Sequence, residues 1–334
     1  VAGPAGLSAP DDAPAGRATI LDVAAAAGVS RQTVTRAMNG MAGINAATKE
    51  RVLAAAEELG YRPSRFGRGL VLGGERQLGL IVDDLRNPYS PELAAAVVRI
   101  AAARGWNVML ADVALAGDAD RMVASLGAQT DAVIGYFGLR AAEWIDLLGS
   151  VPVVELDPLG PVTRGAVHLD PAQAVEALVA HLVAVGVGSP VVLDLARPTG
   201  ATRRARLLLE AFRRRGIGAA VVPVAESTAA MASDASLGLL AGSERPDAIL
   251  AFNDVMALGV LAACRRAGVD VPGDLRVAGV DGLPVGALVA PALTTLAVDF
   301  DAVATAALDL VGEMRPGASG SRTVAHRLLL RESA

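Results

Sequence analysis

Residues 19–40, TILDVAAAAGVSRQTVTRAMNG, leave little choice of local structure. Ile20, Val23, Ala24 and Ala27 recur at helical spacing and give one apolar face. Thr19 stands where an N-cap belongs, with Asp22 three residues on as a short relative of the capping-box acid. Gly28 ends this helix by supplying the left-handed conformation that a β-carbon resists. Val29 then packs under the turn, and Ser30 caps a second helix. There Val34, Ala37 and Met38 face inward, which leaves Arg31, Gln32, Thr33, Thr35 and Arg36 outside. Such a pair is either an ordinary αα-hairpin with a solvated face or a helix-turn-helix that lays its second helix in a major groove. Arginine and glutamine near a helix N-terminus are side chains that pair with guanine and adenine edges there. Taken alone, the stretch leaves both readings open.

Charge favours the second. Residues 17–72 hold eight basic and four acidic residues, a local +4 in a chain of net charge −5. A small basic module on an acidic body suits docking of one end on a polyanion. The 334 residues suffice for two or three domains, and 53% hydrophobic against 19% charged residues implies packed cores. No apolar run reaches 18 residues, so no membrane span is expected. Cys264 is the one cysteine, which excludes an intrachain disulfide. With no basic-then-apolar leader at the start, the cytoplasm is the expected compartment. His168, His181 and His326 are scattered without metal-ligand spacing. The glycines at 67 and 69 follow no strand, and neither a nucleophile elbow nor a phosphate loop is present. No catalytic residue, metal site or cofactor is therefore expected.

The spacing Asp22, Val23, Ala24, Ala27, Gly28, Val29, Ser30, Thr33, Val34, Arg36, Asn39, Gly40 resembles the headpiece of the LacI/GalR family of bacterial transcription regulators. The likeness runs more loosely through nearly the whole chain. It implies an N-terminal three-helix helix-turn-helix headpiece with a hinge, and an α/β body of two doubly wound subdomains, periplasmic-binding-protein-like. It also implies a repressor that binds pseudo-palindromic double-stranded operator DNA as a homodimer under control of a small-molecule effector. The implied DNA contacts are Ser30, Arg31, Gln32, Thr33, Thr35, Arg36 and Asn39 from the second helix, with Arg68 and Leu70 from the hinge. Leu70 takes the position of the leucine that wedges into the minor groove.

Residues 1–16 are Ala, Gly, Pro and Asp without periodicity and read as a disordered tail. Within the headpiece, 17–61, a third helix runs from its cap Asn45 to Gly60, with Val52, Leu53, Ala56 and Leu59 as its stripe. Residues 62–74 are a hinge or a flexible tether; Gly67 and Gly69 weaken a helix there by about 1 kcal/mol each.

From residue 75 to 331 strands and helices alternate, the signature of parallel α/β units. Strands are expected at 78–82, 108–110, 132–136 and 153–156, with helices at 91–103, 118–127 and 143–148. A second series has strands at 167–169, 191–195, 221–222, 249–251 and 277–280, with helices at 172–185, 203–215, 228–240 and 255–267. A helix at 303–314 and a strand at 323–330 close the chain. The first subdomain is then 75–158 with 298–320, and the second 159–297 with 321–331.

Ligands of such sheets bind beyond the carboxyl ends of strands. The residues there are Tyr89, Asp157, Asn253 and Asp281, with Asp254 expected to cap the following helix. Each has a plainer role open to it: Asn87-Pro88 is a helix-entry turn, and Asp157 before Pro158 is a turn cap. By resemblance an arginine stands four residues before an aromatic on the 203–215 helix. Counted back from Phe212 that position is Leu208, which leaves Arg204 and Arg206, with Arg203, as substitutes or as a solvated face. Without that arginine, a neutral sugar is the expected effector rather than an anion. A solute-binding protein of the transport class, and a sugar-converting enzyme with an accessory DNA-binding domain, are the rival readings.

Overall fold

The computed structural model describes residues 20–38, 43–59, 76–149, 151–162, 164–198, 200–314 and 319–334. The chain divides into two compact units, Val1–Glu75 and Arg76–Ala334.

In the first unit α1 (Ile20–Ala27), α2 (Arg31–Met38) and α3 (Ala46–Glu58) enclose Val23, Ala24, Ala27, Val34, Ala37, Val52, Ala55 and Ala56. Alanine dominates this core, so little apolar area is buried and the helix ends carry much of the definition. Gly28 adopts φ +63°, and the Val29 N–H donates to Ala24 O at 3.0 Å, which closes α1 as a left-handed cap does. The Thr33 N–H donates to Ser30 Oγ at 3.1 Å, and the Thr48 N–H to Asn45 Oδ1 at 2.7 Å. Arg51 Nε donates to Ala27 O at 3.0 Å, tying α3 to the carbonyl end of α1. The expected stripe on α3 shifts: Leu53 is 42% exposed and Leu59 40%. Ala55 takes the inward place, because Leu53 lies about 100° around the helix from Val52. Thr19 lies outside the described residues.

The second unit holds two six-stranded sheets. Into the first run β1 (Arg76–Val82), β2 (Trp106–Asp112), β3 (Ala132–Gly135), β4 (Val153–Leu156) and β5 (Gly165–Asp170), linked by α4 (Tyr89–Ala103), α5 (Ala119–Gln129) and α6 (Ala141–Leu148). After β5 the chain crosses to the second sheet. There α7 (Ala172–Ala184), β6 (Pro190–Leu195), α8 (Arg203–Arg213), β7 (Ala220–Val224), α9 (Ala229–Ala241), β8 (Ala248–Ala251), α10 (Asp254–Ala267), β9 (Arg276–Asp281) and β10 (Thr294–Ala297) follow. It crosses back into α11 (Phe300–Glu313) and β11 (Ser321–Ala325), then a third time into β12 (Arg327–Leu329). The strand orders are β11-β5-β4-β3-β1-β2 and β12-β10-β9-β8-β6-β7. All pairings are parallel except β10 with β12. Helices cover both faces of each sheet, with α4 and α11 opposite α5 and α6 on the first, and α7 and α8 opposite α9 and α10 on the second.

Three assignments change. Residues 165–170 belong to the first sheet, where Ala166 pairs with Glu155 and Ser321, not to the second subdomain. The expected strand 323–330 is two strands in different sheets, parted at His326. An apolar run marks a buried strand but not the sheet it joins, which is settled by pairing between distant segments. Third, β10, which is not among the expected strands, lies inside the second sheet between β12 and β9 although its sequence, Thr-Thr-Leu-Ala, offers no apolar run. Its two threonines are fully buried. The Thr295 hydroxyl donates to Asp254 Oδ1 at 2.6 Å, and the Thr294 N–H to Ser333 Oγ at 2.8 Å.

Candidate functional site

On the headpiece, α2 presents Arg31, Gln32 and Arg36 to solvent, with Thr33 and Thr35 half-buried. Two of the expected contacts already have structural tasks. Ser30 is the cap of α2 and its hydroxyl lies 2.9 Å from that of Thr33, while the Thr35 hydroxyl donates to Arg31 O at 3.1 Å. Beyond these hydroxyls, the exposed polar groups of this face are the long side chains of Arg31, Gln32 and Arg36. Asn39, Arg68 and Leu70 lie outside the described residues.

The body gathers its polar groups at the carboxyl ends of strands from both sheets. From the first sheet come Tyr89, at the start of α4, and Tyr136, just past β3, whose hydroxyls hydrogen-bond to one another. Their rings meet edge-to-face with centroids 5.9 Å apart, and Phe300 sits in the same way 5.0 Å from Tyr89. Burial raises both phenol pKa values, so both tyrosines stay protonated and offer neutral hydroxyls. Asp157 follows β4 in the left-handed region, φ +43°. Its backbone N–H donates to Val167 O at 2.7 Å and its Oδ1 accepts from the Leu169 N–H at 3.2 Å. Both bonds run across to β5 rather than around the turn at Pro158, and they hold the carboxylate at the strand end.

From the second sheet comes Asp281, which ends β9 with φ +125° and 2% exposure. Strain of this kind persists only where packing over-determines it. Burial pushes the Asp281 carboxyl up to about 8, while Arg204 pulls the other way and the nearby Asp254 adds to the rise. Arg204 Nη1 stands 3.7 Å from Asp281 Oδ1, donates to Phe252 O at 3.1 Å, and its guanidinium lies over the Phe252 ring at 4.9 Å. The charges of Asp281, Arg204 and Asp157 all act on Tyr89, so groups from the two sheets face one space. Next to Arg204, Arg203 reaches back to the first sheet: its Nη1 donates to Leu169 O at 3.0 Å and lies 3.9 Å from Asp157 Oδ1.

The cap expected of Asp254 is made by Asn253. Asn253 Oδ1 accepts from the Met256 N–H at 2.9 Å and caps α10. Asp254 is fully buried and accepts from the Thr295 hydroxyl and from the Leu283 N–H at 2.7 Å. Burial pushes Asp254 up to about 6. Gly279 makes room for it, since a β-carbon there would lie 2.3 Å from Asp254 Oδ1. Asp254 is thus the support beneath Asp281, and Asn253 holds the helix that carries it.

Arg206 does not join this group; it is exposed and its Nη1 donates to Ala201 O at 2.8 Å. Leu208 is 4% exposed, in the core between α8 and the second sheet. Arg204, Leu208 and Phe212 are spaced by four and share one helix face. The position four before Phe212 is thus a core leucine, and of the three arginines weighed as substitutes Arg204, one turn earlier on that face, is the one beside Asp281. Tyr136, Phe300 and Phe252 escaped the sequence reading. Tyr136 carried a usable signal, since it is the last residue of an expected strand.

Two doubly wound parallel sheets, joined by three crossings around a polar space and preceded by a helix-turn-helix, are the architecture of a regulator with a periplasmic-binding-protein-like body. Residues 19–64 match the bacterial regulatory proteins of the lacI family, and residues 179–334 a periplasmic binding protein-like domain. The HTH-type transcriptional regulator PtxS of Pseudomonas putida is 30% identical over 327 residues, 94% of this chain and 95% of that protein. A LacI family transcriptional regulator from Arthrobacter sp. FB24, solved in complex with lactose, is 35% identical with TM-score 0.72, over 77% of this chain and 99% of that one. The lac repressor dimer bound to operator and the anti-inducer ONPF is 27% identical with TM-score 0.70, over 95% and 99%. The chain belongs to the LacI family of bacterial regulatory proteins, and its function is the regulation of transcription.

Proposed function

We propose that the protein represses transcription as a homodimer on a pseudo-palindromic operator, and that an uncharged sugar between the two sheets sets its affinity for DNA. The observation that carries this reading is the convergence of Tyr89, Tyr136 and Asp157 from one sheet with Arg204 and Asp281 from the other. A ligand touching both walls favours one subdomain angle over another, and only such differential contact shifts a conformational equilibrium. With two-fold symmetry the angle sets the separation of two headpieces and hence the fit to two half-sites, which couples the sites energetically.

The chemistry of the walls supports a neutral, hydroxyl-rich ligand. Aromatic edges and neutral phenols stand on one side, and on the other a buried carboxyl paired with its own arginine. Arg204 is engaged by Asp281 and Phe252 O, so an anion would have to displace a resident carboxyl. The Arthrobacter relative solved with lactose and the lac repressor dimer solved on operator support the ligand class and the assembly. On the DNA side, Arg31, Gln32 and Arg36 read base edges, Ser30, Thr33, Thr35 and Asn39 hold the backbone, and the hinge 62–74 delivers Arg68 and Leu70 to the minor groove. The protein acts by binding alone, in the cytoplasm; no helix among the described residues is long and apolar enough to cross a membrane.

The test is fluorescence anisotropy of the full chain on DNA from upstream of its own coding sequence, with lactose, cellobiose or ribose added. Specific binding with a log–log salt slope of about −4 to −5 is expected, with release by one of the sugars. A slope near zero would sink the DNA assignment. Release by an anionic metabolite and by no sugar would sink the ligand class.

A further inference from the structure

His326 forms the third crossing, between β11 of the first sheet and β12 of the second. It is 6% exposed, and both ring nitrogens are buried without a protein partner. Its backbone N–H donates at 2.9 Å to the carbonyl of Asp170, the last residue before the first crossing. The third crossing is thereby pinned to the first. Arg327, the next residue, is exposed and lines an outer groove with Glu92, Arg99 and Phe300. The charges that act on its ring are those of Arg204, Asp170 and Arg203. Two of these face the space between the sheets: Arg204 stands beside Asp281, and Arg203 beside Asp157 and Asp170.

A neutral imidazole carries one N–H donor and one acceptor nitrogen. Burying both unmet is costly, and native proteins rarely tolerate it without a partner. Burial and the neighbouring Arg204 hold the ring pKa down to about 4, so it stays neutral at physiological pH. The natural complement of such a ring is a hydroxyl, which both donates and accepts. A carboxylate or phosphate would meet only the N–H and would face the acceptor nitrogen with like polarity.

We propose that His326 is a direct contact for the effector, its ring hydrogen-bonding a hydroxyl of the sugar from the side of the crossings while Tyr89 and Asp281 hold it from the two sheets. The inference rests on the sugar reading above and adds a residue on the segment that must bend when the subdomains turn. A side chain there senses the ligand and the subdomain angle together.

The experiment uses the full chain, with calorimetric titration of lactose, cellobiose and ribose into wild type, His326→Phe and His326→Gln. For whichever sugar binds, His326→Phe should weaken binding about 10- to 100-fold, and His326→Gln, which keeps a donor and an acceptor, should recover most of it. In the wild type the His326 ring 15N resonances, identified by their loss in His326→Gln, should shift on saturation with that sugar. This readout stands even if the phenylalanine variant fails to fold. Unchanged ring resonances, or equal affinity in a folded His326→Phe, overturn this proposal and leave the sugar reading intact. If none of the three sugars binds the wild type, both fall together.

Discussion

The headpiece and the cleft of the body place their functional groups in opposite ways. On α2 the exposed side chains stand within six residues of one another, and the devices that hold them, Gly28 and Ser30, are immediate neighbours in sequence. In the cleft, Tyr89, Tyr136, Asp157, Arg204, Asp281 and His326 come from six separate segments spread over the whole body. Each is held by residues far away in the chain, as Asp254 supports Asp281 and rests in turn on Thr295. A local arrangement fails by losing its contacts while the fold survives. A distributed one fails by losing the fold beneath it.

The largest effects should follow from breaking the distributed arrangement. Leu208→Arg, which puts the family arginine where counting back from Phe212 would have it, buries an unpaired charge in the core. Gly279→Val drives a side chain into Asp254. Each should destabilise the body by about 3 kcal/mol or more, read as a shifted urea midpoint of unfolding. A Leu208→Arg protein of wild-type stability would show that α8 can turn, and would undo the placement of Arg204.

Intermediate effects belong to α2. Arg31→Ala and Gln32→Ala should each lower specific DNA affinity by about 1–3 kcal/mol and relax preference at one base pair, with the unfolding midpoint unchanged. If affinity and stability fell together instead, the headpiece would be as interdependent as the cleft and the contrast would dissolve. Smaller still, Ser30→Ala removes the cap of α2 and should cost about 1 kcal/mol of headpiece stability, visible as earlier melting of helical circular dichroism.

A further effect is in the pH dependence of the body. Asp281 has a folded pKa near 8, above the ordinary value of 3.8. Its contribution to stability is therefore full below about pH 4 and is lost as pH rises through 8. Asp254 and Glu155, pushed by burial to about 6 and about 7, act in the same direction. His326, held down to about 4 from 6.5, acts oppositely: its contribution is present above pH 6.5 and is lost as pH falls through 4. Between pH 6.5 and 8 only the carboxyls titrate, so body stability should decline across that window, and Asp281→Asn should flatten the decline. An unaltered slope in Asp281→Asn would mean that Arg204 keeps the carboxyl charged.

Much of this molecule is written locally. Helical spacing, a glycine stop and two polar caps determine the headpiece, because each acts within a few residues of itself. Strand–helix alternation determines that the body is parallel α/β, because parallel strands need crossovers and are buried on both faces. Strand ends mark Tyr89, Asp157 and Asp281 for the same reason. What only the tertiary structure decided is everything that depends on pairing between distant segments. It put residues 165–170 in the first sheet, threaded β10 through the second on two threonines, and split the last strand at His326. It also chose among neighbours that sequence treats alike, such as Asn253 over Asp254 as cap and Arg204 over Arg206 as the cleft cation. Such choices turn on about 100° of helix rotation and on which buried acid finds a donor, and neither is set by the residue type alone.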